Sequence, residues 1–181
     1  YLRSNVSVFR NTTIGGAISF TPKTDYPVIS GPYDVKLDDL DNDGKPEILH
    51  GEFGGWVKCI NAENGSQAWH LPVDMNSWIQ TAPTIVDLDN DGQLDFVVGT
   101  WNFNGEDSIY AFRGDNQSPL WSYPVHAYMY HGTAVADLDN DGKPELIWMP
   151  VNYLDAGTNP NPARILIYEY PGDGRDDMGV S

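Results

Sequence analysis

Asp39-Leu40-Asp41-Asn42-Asp43-Gly44-Lys45-Pro46-Glu47 recurs as Asp87-Leu88-Asp89-Asn90-Asp91-Gly92-Gln93-Leu94-Asp95, and again as Asp137-Leu138-Asp139-Asn140-Asp141-Gly142-Lys143-Pro144-Glu145. The copies begin 48 and 50 residues apart. A repeat of about that period is the sequence mark of β-propeller blades, each a four-stranded sheet. Short apolar or β-branched segments bracket every copy, at residues 33–37, 84–86 and 133–136 before it and 47–49, 95–98 and 145–148 after it. A third segment follows at 56–60, 108–112 and 164–168, and a fourth, carrying Trp69 or Trp121, at 67–71 and 119–123. Turn formers separate them, as in Glu63-Asn64-Gly65-Ser66 and Gly114-Asp115-Asn116-Gln117. No window of ten or more residues carries a helical apolar stripe. The expected fold is therefore all-β: a β-propeller of four-stranded antiparallel blades, with the acidic loop between strands one and two.

The ends do not fill whole blades. Residues 6–9 and 18–22 read as the third and fourth strands of a preceding blade, which 1–32 would close. Residues 33–74 and 75–124 each make a blade, and 125–181 an incomplete one. About thirteen strands fall short of the roughly sixteen that four blades need. Open sheet edges require cover. The expectation is a part of a larger propeller, or a chain that completes its ring, or associates end to end, with another.

Calcium takes six to eight oxygen ligands in a flexible cage. Asp-x-Asp-x-Asp-Gly sets carboxylates at alternate positions of a tight turn, so that three converge on one ion, and the glycine permits the bend. A carbonyl at position seven and an acid at position nine complete the cage. The first set is Asp39, Asp41, Asp43, the carbonyl of Lys45, and Glu47; the second Asp87, Asp89, Asp91, the carbonyl of Gln93, and Asp95; the third Asp137, Asp139, Asp141, the carbonyl of Lys143, and Glu145. Asp-Gly and Asn-Asp favour turns with or without an ion, but three copies with acids at the same four positions ask for more than a turn. Magnesium, with its strict octahedron and tightly held waters, suits such a loop less. An EF-hand would need a bidentate Glu at position twelve and flanking helices. His50, Val98 and Trp148 stand there, in strand-like segments. Three calcium sites are expected.

Composition narrows the partners. Of 181 residues, 40% are hydrophobic, and 26 acids against 10 bases give a net charge of −16. That charge repels nucleic acid and anionic lipid. No run of about 18 apolar residues offers a membrane-spanning helix, so membrane insertion is not expected. The single cysteine, Cys59, lies in an apolar segment and reads as a buried small side chain. Calcium at millimolar levels outside cells would suit weak acidic loops, which points to an exported protein. The start at Tyr1, without an initiator Met, fits a processed or excised one. Asn5, Asn11, Asn64 and Asn116 stand in Asn-x-Ser/Thr sequons.

These loops resemble the FG-GAP and VCBS repeats, the calcium loops of integrin α-subunit propellers and of many bacterial surface proteins. Tyr26-Pro27-Val28 and Ser30-Gly31-Pro32-Tyr33 look like a blade junction of the same family. The resemblance implies calcium at positions one, three, five and nine, and an extracellular or cell-surface setting. It implies no single ligand, since such propellers serve adhesion, glycan binding and enzyme scaffolding alike. Residues 57–62 with Asn64-Gly65 and Trp69 resemble the tryptophan-docking motif of quinoprotein-type propellers, and 108–112 with Trp121 echo it; both tryptophans read as blade-to-blade packing.

With the acidic loops on one face, the opposite face collects residues 51–55, 99–107 and 149–163 and the linkers Met75-Asn76-Ser77-Trp78 and His126-Ala127-Tyr128-Met129-Tyr130-His131. Phe53, Trp78, Trp101, Phe103, Tyr128, Tyr130 and Tyr153 would gather there, as stacking platforms for sugar rings, as anchors for a protein, or as plain blade packing. His126 and His131 lack a metal-ligand spacing. No nucleophile–base pair, phosphate loop or Gly-x-Ser-x-Gly elbow occurs, and every recurrent carboxylate belongs to a loop. The reading is a non-catalytic, extracellular calcium-binding propeller that binds protein or glycan. The alternatives are a propeller domain of a carbohydrate-active enzyme, such as a polysaccharide lyase, and a structural subunit of a surface assembly.

Overall fold

The computed structural model describes residues 4–28, 31–102, 107–125, 128–149 and 166–169. Among them there is no helix, and thirteen strands form four antiparallel sheets. β1 (Ser4–Val8) pairs with β2 (Thr24–Val28). β3 (Val35–Asp38), β4 (Glu47–Glu52), β5 (Trp56–Asn61) and β6 (Gln67–Pro72) follow one another across a four-stranded sheet, the first of the three sheets that carry an acidic loop. β7 (Thr84–Val86), β8 (Asp95–Gly99), β9 (Ser108–Arg113) and β10 (Pro119–Pro124) repeat it. β11 (Ala134–Ala136), β12 (Glu145–Trp148) and β13 (Leu166–Glu169) make a third sheet of three described strands.

The register fixes the acidic loops identically. Asp38 pairs with Glu47, Val86 with Asp95, and Ala136 with Glu145, so in each sheet the ninth-position acid is the first rung of the ladder after the loop. Because successive side chains in a strand point to opposite faces, each middle strand feeds two cores. Leu49, Val57 and Cys59 meet Phe96, Val98 and Phe112 between the first and second sheets. Val97, Ile109 and Ala111 meet Leu146 and Trp148 between the second and third. Ile48 and Ile60 meet Val28, with Val6, Val8 and Tyr26, on the first sheet's other side. The sheets thus stack face to face in chain order, a propeller-like all-β fold.

Two repeat positions make this stacking possible. The second-position leucine is inserted between sheets: Leu40 is 1% exposed and Leu88 0% exposed, whereas Leu138 is 51% exposed. Gly51 and Gly99 stand at equivalent places near the far end of the second strand. A Cβ on Gly51 would lie 2.3 Å from Ile79 Cγ2, and one on Gly99 would lie 2.7 Å from Met129 Cβ, so the linker leading to the next sheet can cross only where no side chain exists.

The fourth strand expected at 18–22 is instead β2, Thr24–Val28. Residues 9–20 form an arm, closed by isolated bridges Asn11↔Phe20 and Ile14↔Ala17 around Gly15-Gly16, whose φ angles are 64° and 85°. Ile18 and Phe20 looked strand-like but lie exposed on that arm. The pairing is set further in, where Val6, Val8, Tyr26 and Val28 share a core. Cys59 is fully buried, as its apolar segment predicts, and burial pushes its thiol up to about 12.

Candidate functional site

Each acidic loop is wound by its own side chains. Oδ2 of the first-position Asp accepts the N–H of the sixth-position Gly, at 2.9 Å in the first two loops and 3.0 Å in the third. Oδ1 of the fifth-position Asp accepts the N–H of residue seven, at 2.8 Å from Lys45 and Gln93 and 2.9 Å from Lys143. Asn42, Asn90 and Asn140 take φ of 59°, 57° and 63°, and Gly44, Gly92 and Gly142 take 85°, 87° and 93°. Asn and Gly are the residues that adopt this left-handed backbone most readily. The bend folds the carboxylates inward.

The ninth-position acids close the loops from the sheet side. Glu47, Asp95 and Glu145 are buried, and one carboxylate oxygen of each accepts the backbone N–H of the second-position leucine: Leu40 at 2.9 Å, Leu88 at 3.0 Å, and Leu138. The other oxygen of Asp95 and of Glu145 is buried without a hydrogen-bond partner, as are Asp39 Oδ1 and Asp89 Oδ1. Burial lifts the Asp95 carboxyl to about 6, with Asp89 and Asp91 adding to the rise while the Leu88 N–H and Arg113 oppose it. Burial likewise raises Glu47, helped by Asp41, Asp43 and Asp39. Unpaired buried oxygens, and ninth-position carboxyls raised by burial beside other acids, are what a bound cation relieves.

The three groups differ in membership. Ligand oxygens of Asp137, Asp139, Asp141 and Glu145 all lie within 4.8 Å of one another. Asp39, Asp41 and Asp43 do so in the first loop, with Glu47 outside that group, and Asp87, Asp89 and Asp95 in the second, with Asp91 outside. The seventh-position lysines meet the fifth-position acid of their own loop: Lys45 Nζ lies 3.2 Å from Asp43, and 3.6 Å from Glu63, and Lys143 Nζ 3.4 Å from Asp141. Gln93 Oε1 accepts from Asn42 Nδ2 at 2.5 Å.

Residues 87–148, from the first aspartate of the second loop to the end of β12, match the family described as FG-GAP-like repeat. The chain carries an FG-GAP-like repeat. No curated protein matches it in sequence. Among solved structures it is similar to a europium-containing methanol dehydrogenase, with a TM-score of 0.44 and 11% identity over 68% of this chain and 23% of that one. It is also similar to the quinohemoprotein alcohol dehydrogenase ADHIIG from Pseudomonas putida HK5, with a TM-score of 0.43 and 13% identity over 57% of this chain and 19% of that one. The chain spans less than a quarter of the length of either.

At the far end of the strands, the FG-GAP-like repeat and the sheet before it bring aromatic rings into a row. Phe53 and Trp101 hold the same place in consecutive repeats, and Trp78 lies between them, with ring centroids 4.9 Å from Phe53 and 4.7 Å from Trp101. Trp78 and Trp101 also exchange backbone hydrogen bonds of 2.7 and 2.8 Å. Tyr128 and Tyr130 continue the row at 5.5 and 5.8 Å from Trp101. Tyr33, which precedes β3, extends it at 5.6 Å from Phe53 and is exposed. Trp101 and Tyr128 are buried and pack the row, while Phe53, Trp78 and Tyr130 are half-buried. Phe103, Tyr153 and His126 lie outside the described residues, and His131 is exposed, its carbonyl accepting the Trp148 indole N–H at 3.1 Å. Trp69 stacks on Phe96 of the next sheet at 5.3 Å, and Trp121 packs against the core between the second and third sheets.

Sequence reading missed Asp107. It is 1% exposed, and burial raises its carboxyl to about 7, with Asp74 contributing. Asp107 belongs to none of the repeated acidic positions, so the sequence gives no pattern that singles it out.

Proposed function

We propose that this chain is part of an extracellular β-propeller whose acidic loops each hold a calcium ion, and whose opposite face binds a protein or glycan without catalysis. The observation that carries the calcium reading is the buried, unpartnered oxygen of Asp95 and of Glu145, each fixed by a backbone N–H on its other oxygen and converging with the aspartates of its loop. An all-carboxylate and carbonyl donor set suits a hard cation, and loops that gather three or four acids from one turn suit calcium's flexible geometry better than magnesium's. In the first loop Asp39, Asp41, Asp43 and Glu47 would hold the ion, in the second Asp87, Asp89, Asp91 and Asp95, and in the third Asp137, Asp139, Asp141 and Glu145. The ion would cancel the repulsion among these groups and tie strand one to strand two in each sheet.

The aromatic row supports a binding face. Tyr33, Phe53, Trp78 and Tyr130 offer flat, partly accessible rings at one end of consecutive sheets, the arrangement that stacks on sugars or anchors a protein side chain. Asp107 is the kind of orphan acid an enzyme would use, but its burial shuts its carboxyl away from substrate, which favours binding over catalysis. The exposure of Leu138, where Leu40 and Leu88 are buried, supports a further sheet or a second chain against the third sheet. Calcium titration tests the loops: Asp41→Ala, Asp89→Ala and Asp139→Ala should each remove one ion, and fewer than two ions at millimolar calcium in the parent chain would end this reading.

A further inference from the structure

Directly across the ladder from the ninth-position acid stand Asn61, Arg113 and Glu169 in the three sheets. Asn61 turns into its own hairpin, its Nδ2 donating to Ser66 Oγ at 2.7 Å. Arg113 reaches into the second loop instead. Its Nη2 donates to Asp89 Oδ2 at 2.6 Å and its Nη1 to Asp91 Oδ2 at 2.5 Å. A planar guanidinium can bridge two carboxylates in this way, whereas Lys45 and Lys143 meet the fifth-position acid of their own loop with a single ammonium.

The fork changes the loop. In the first and third loops the fifth-position N–H donates to Oδ1 of the third-position Asp, both at 3.1 Å. In the second, the Asp91 N–H donates to Asp87 Oδ1 at 3.1 Å, and Asp89 is held by the guanidinium. Asp91 is also the acid missing from the convergent group, although the third loop gathers all four. Yet the second loop keeps a donor for a cation: Asp95 is fully buried, and its Oδ1 has no partner.

We propose that Arg113 is an internal counter-cation of the second loop, which competes with the metal ion for Asp89 and Asp91, so that this loop fills last and keeps its shape when calcium is withdrawn. The inference rests on the calcium reading of the loops. A positive charge a few ångströms from a divalent ion repels it, and the guanidinium holds Oδ2 of Asp89 and draws on Asp91, which stands outside the convergent group, while Asp89 Oδ1 stays unpartnered. In the absence of calcium the same charge does part of the ion's work, since it neutralises the loop without leaving the protein.

Calorimetric titration with calcium alone, on the parent chain, R113Q and R113K, tests this. The parent should bind two ions and then a third about tenfold or more weakly. R113Q should tighten that third site about tenfold and leave the other two unchanged, and R113K, which keeps the charge without the fork, should fall between. In a D89A background R113Q should change neither remaining site. In chelator R113Q should melt below the parent, and saturating calcium should abolish the difference; R113K gives the same comparison if R113Q does not stay folded without calcium. A third site unchanged or weakened in R113Q, or three equal sites in the parent, would overturn the role of Arg113 and leave the calcium reading standing. No ion bound in any of these proteins would remove the calcium reading itself, and this one with it.

Discussion

Asn90 of the second loop donates its side-chain N–H to the carbonyl oxygen of Gly142 in the third, at 2.8 Å and 52 residues along the chain. Asn42 reaches the second loop in the same manner through Gln93. The fourth-position asparagines stand at positive φ, and that backbone sends their amides sideways to the neighbouring loop. Adjacent acidic loops are therefore physically joined as well as repeated. Asn90→Gly keeps the backbone angle and deletes the bond, and should cost about 0.5–1.5 kcal/mol. Asn90→Ala also strains the left-handed backbone and should cost about 1–2 kcal/mol more. Denaturant melts of the two variants against the parent chain check the order; equal stabilities would show that the contact is idle.

The second-position leucines divide by neighbour. Leu88→Ala should destabilise by about 2–5 kcal/mol, because it opens a cavity in the core shared by the second and third sheets. Leu40→Ala should do the same between the first and second. Leu138→Ala, at an exposed side chain, should stay within about 0.5 kcal/mol in the isolated chain. A large loss at Leu138 would mean that another surface covers it in solution.

Asp107 sets a pH dependence. Burial raises its folded carboxyl to about 7, so the folded chain keeps a proton that the unfolded chain releases near pH 4. The folded state is therefore favoured at low pH, loses that advantage as pH rises from about 4 to 7, and carries the whole penalty above 7. Asp107→Asn should raise stability at pH 8 by about 2–4 kcal/mol and change it little at pH 4. Melts in saturating calcium at both values check it; an equal shift at the two pH values would count against a buried, neutral Asp107.

What could be read from sequence follows from what repeats. The acids were legible because four positions recur at one spacing, and the strand order because short apolar segments, separated by turn formers, flank each copy in the same sequence. The partners of those acids were not: Arg113 is distant from the loop in sequence and reaches it only through the cross-strand register with Asp95. Ile18 and Phe20 misled because apolar character alone does not say whether a neighbouring layer exists to bury it. Phe53 and Trp101 were found as loop residues on the face away from the acids, but Tyr33 was read as part of a strand. That strand begins at Val35, which leaves Tyr33 free to meet Phe53.

The aromatic row should separate into support and contact. Trp101→Ala should destabilise by about 3–5 kcal/mol, since the ring is buried among Trp78, Tyr128 and Tyr130. Trp78→Ala should leave the fold largely intact and abolish retention of whichever glycan or protein the parent chain captures from a defined panel. A Trp78→Ala chain that binds as the parent does would place the ligand elsewhere.

The central claim is that the acidic loops are calcium sites. Equilibrium dialysis of the chain against millimolar calcium, with bound metal counted per chain, measures it directly. The account predicts three ions, the last entering only at the higher concentrations, and each lost singly in Asp41→Ala, Asp89→Ala and Asp139→Ala; fewer than two ions per chain would contradict it.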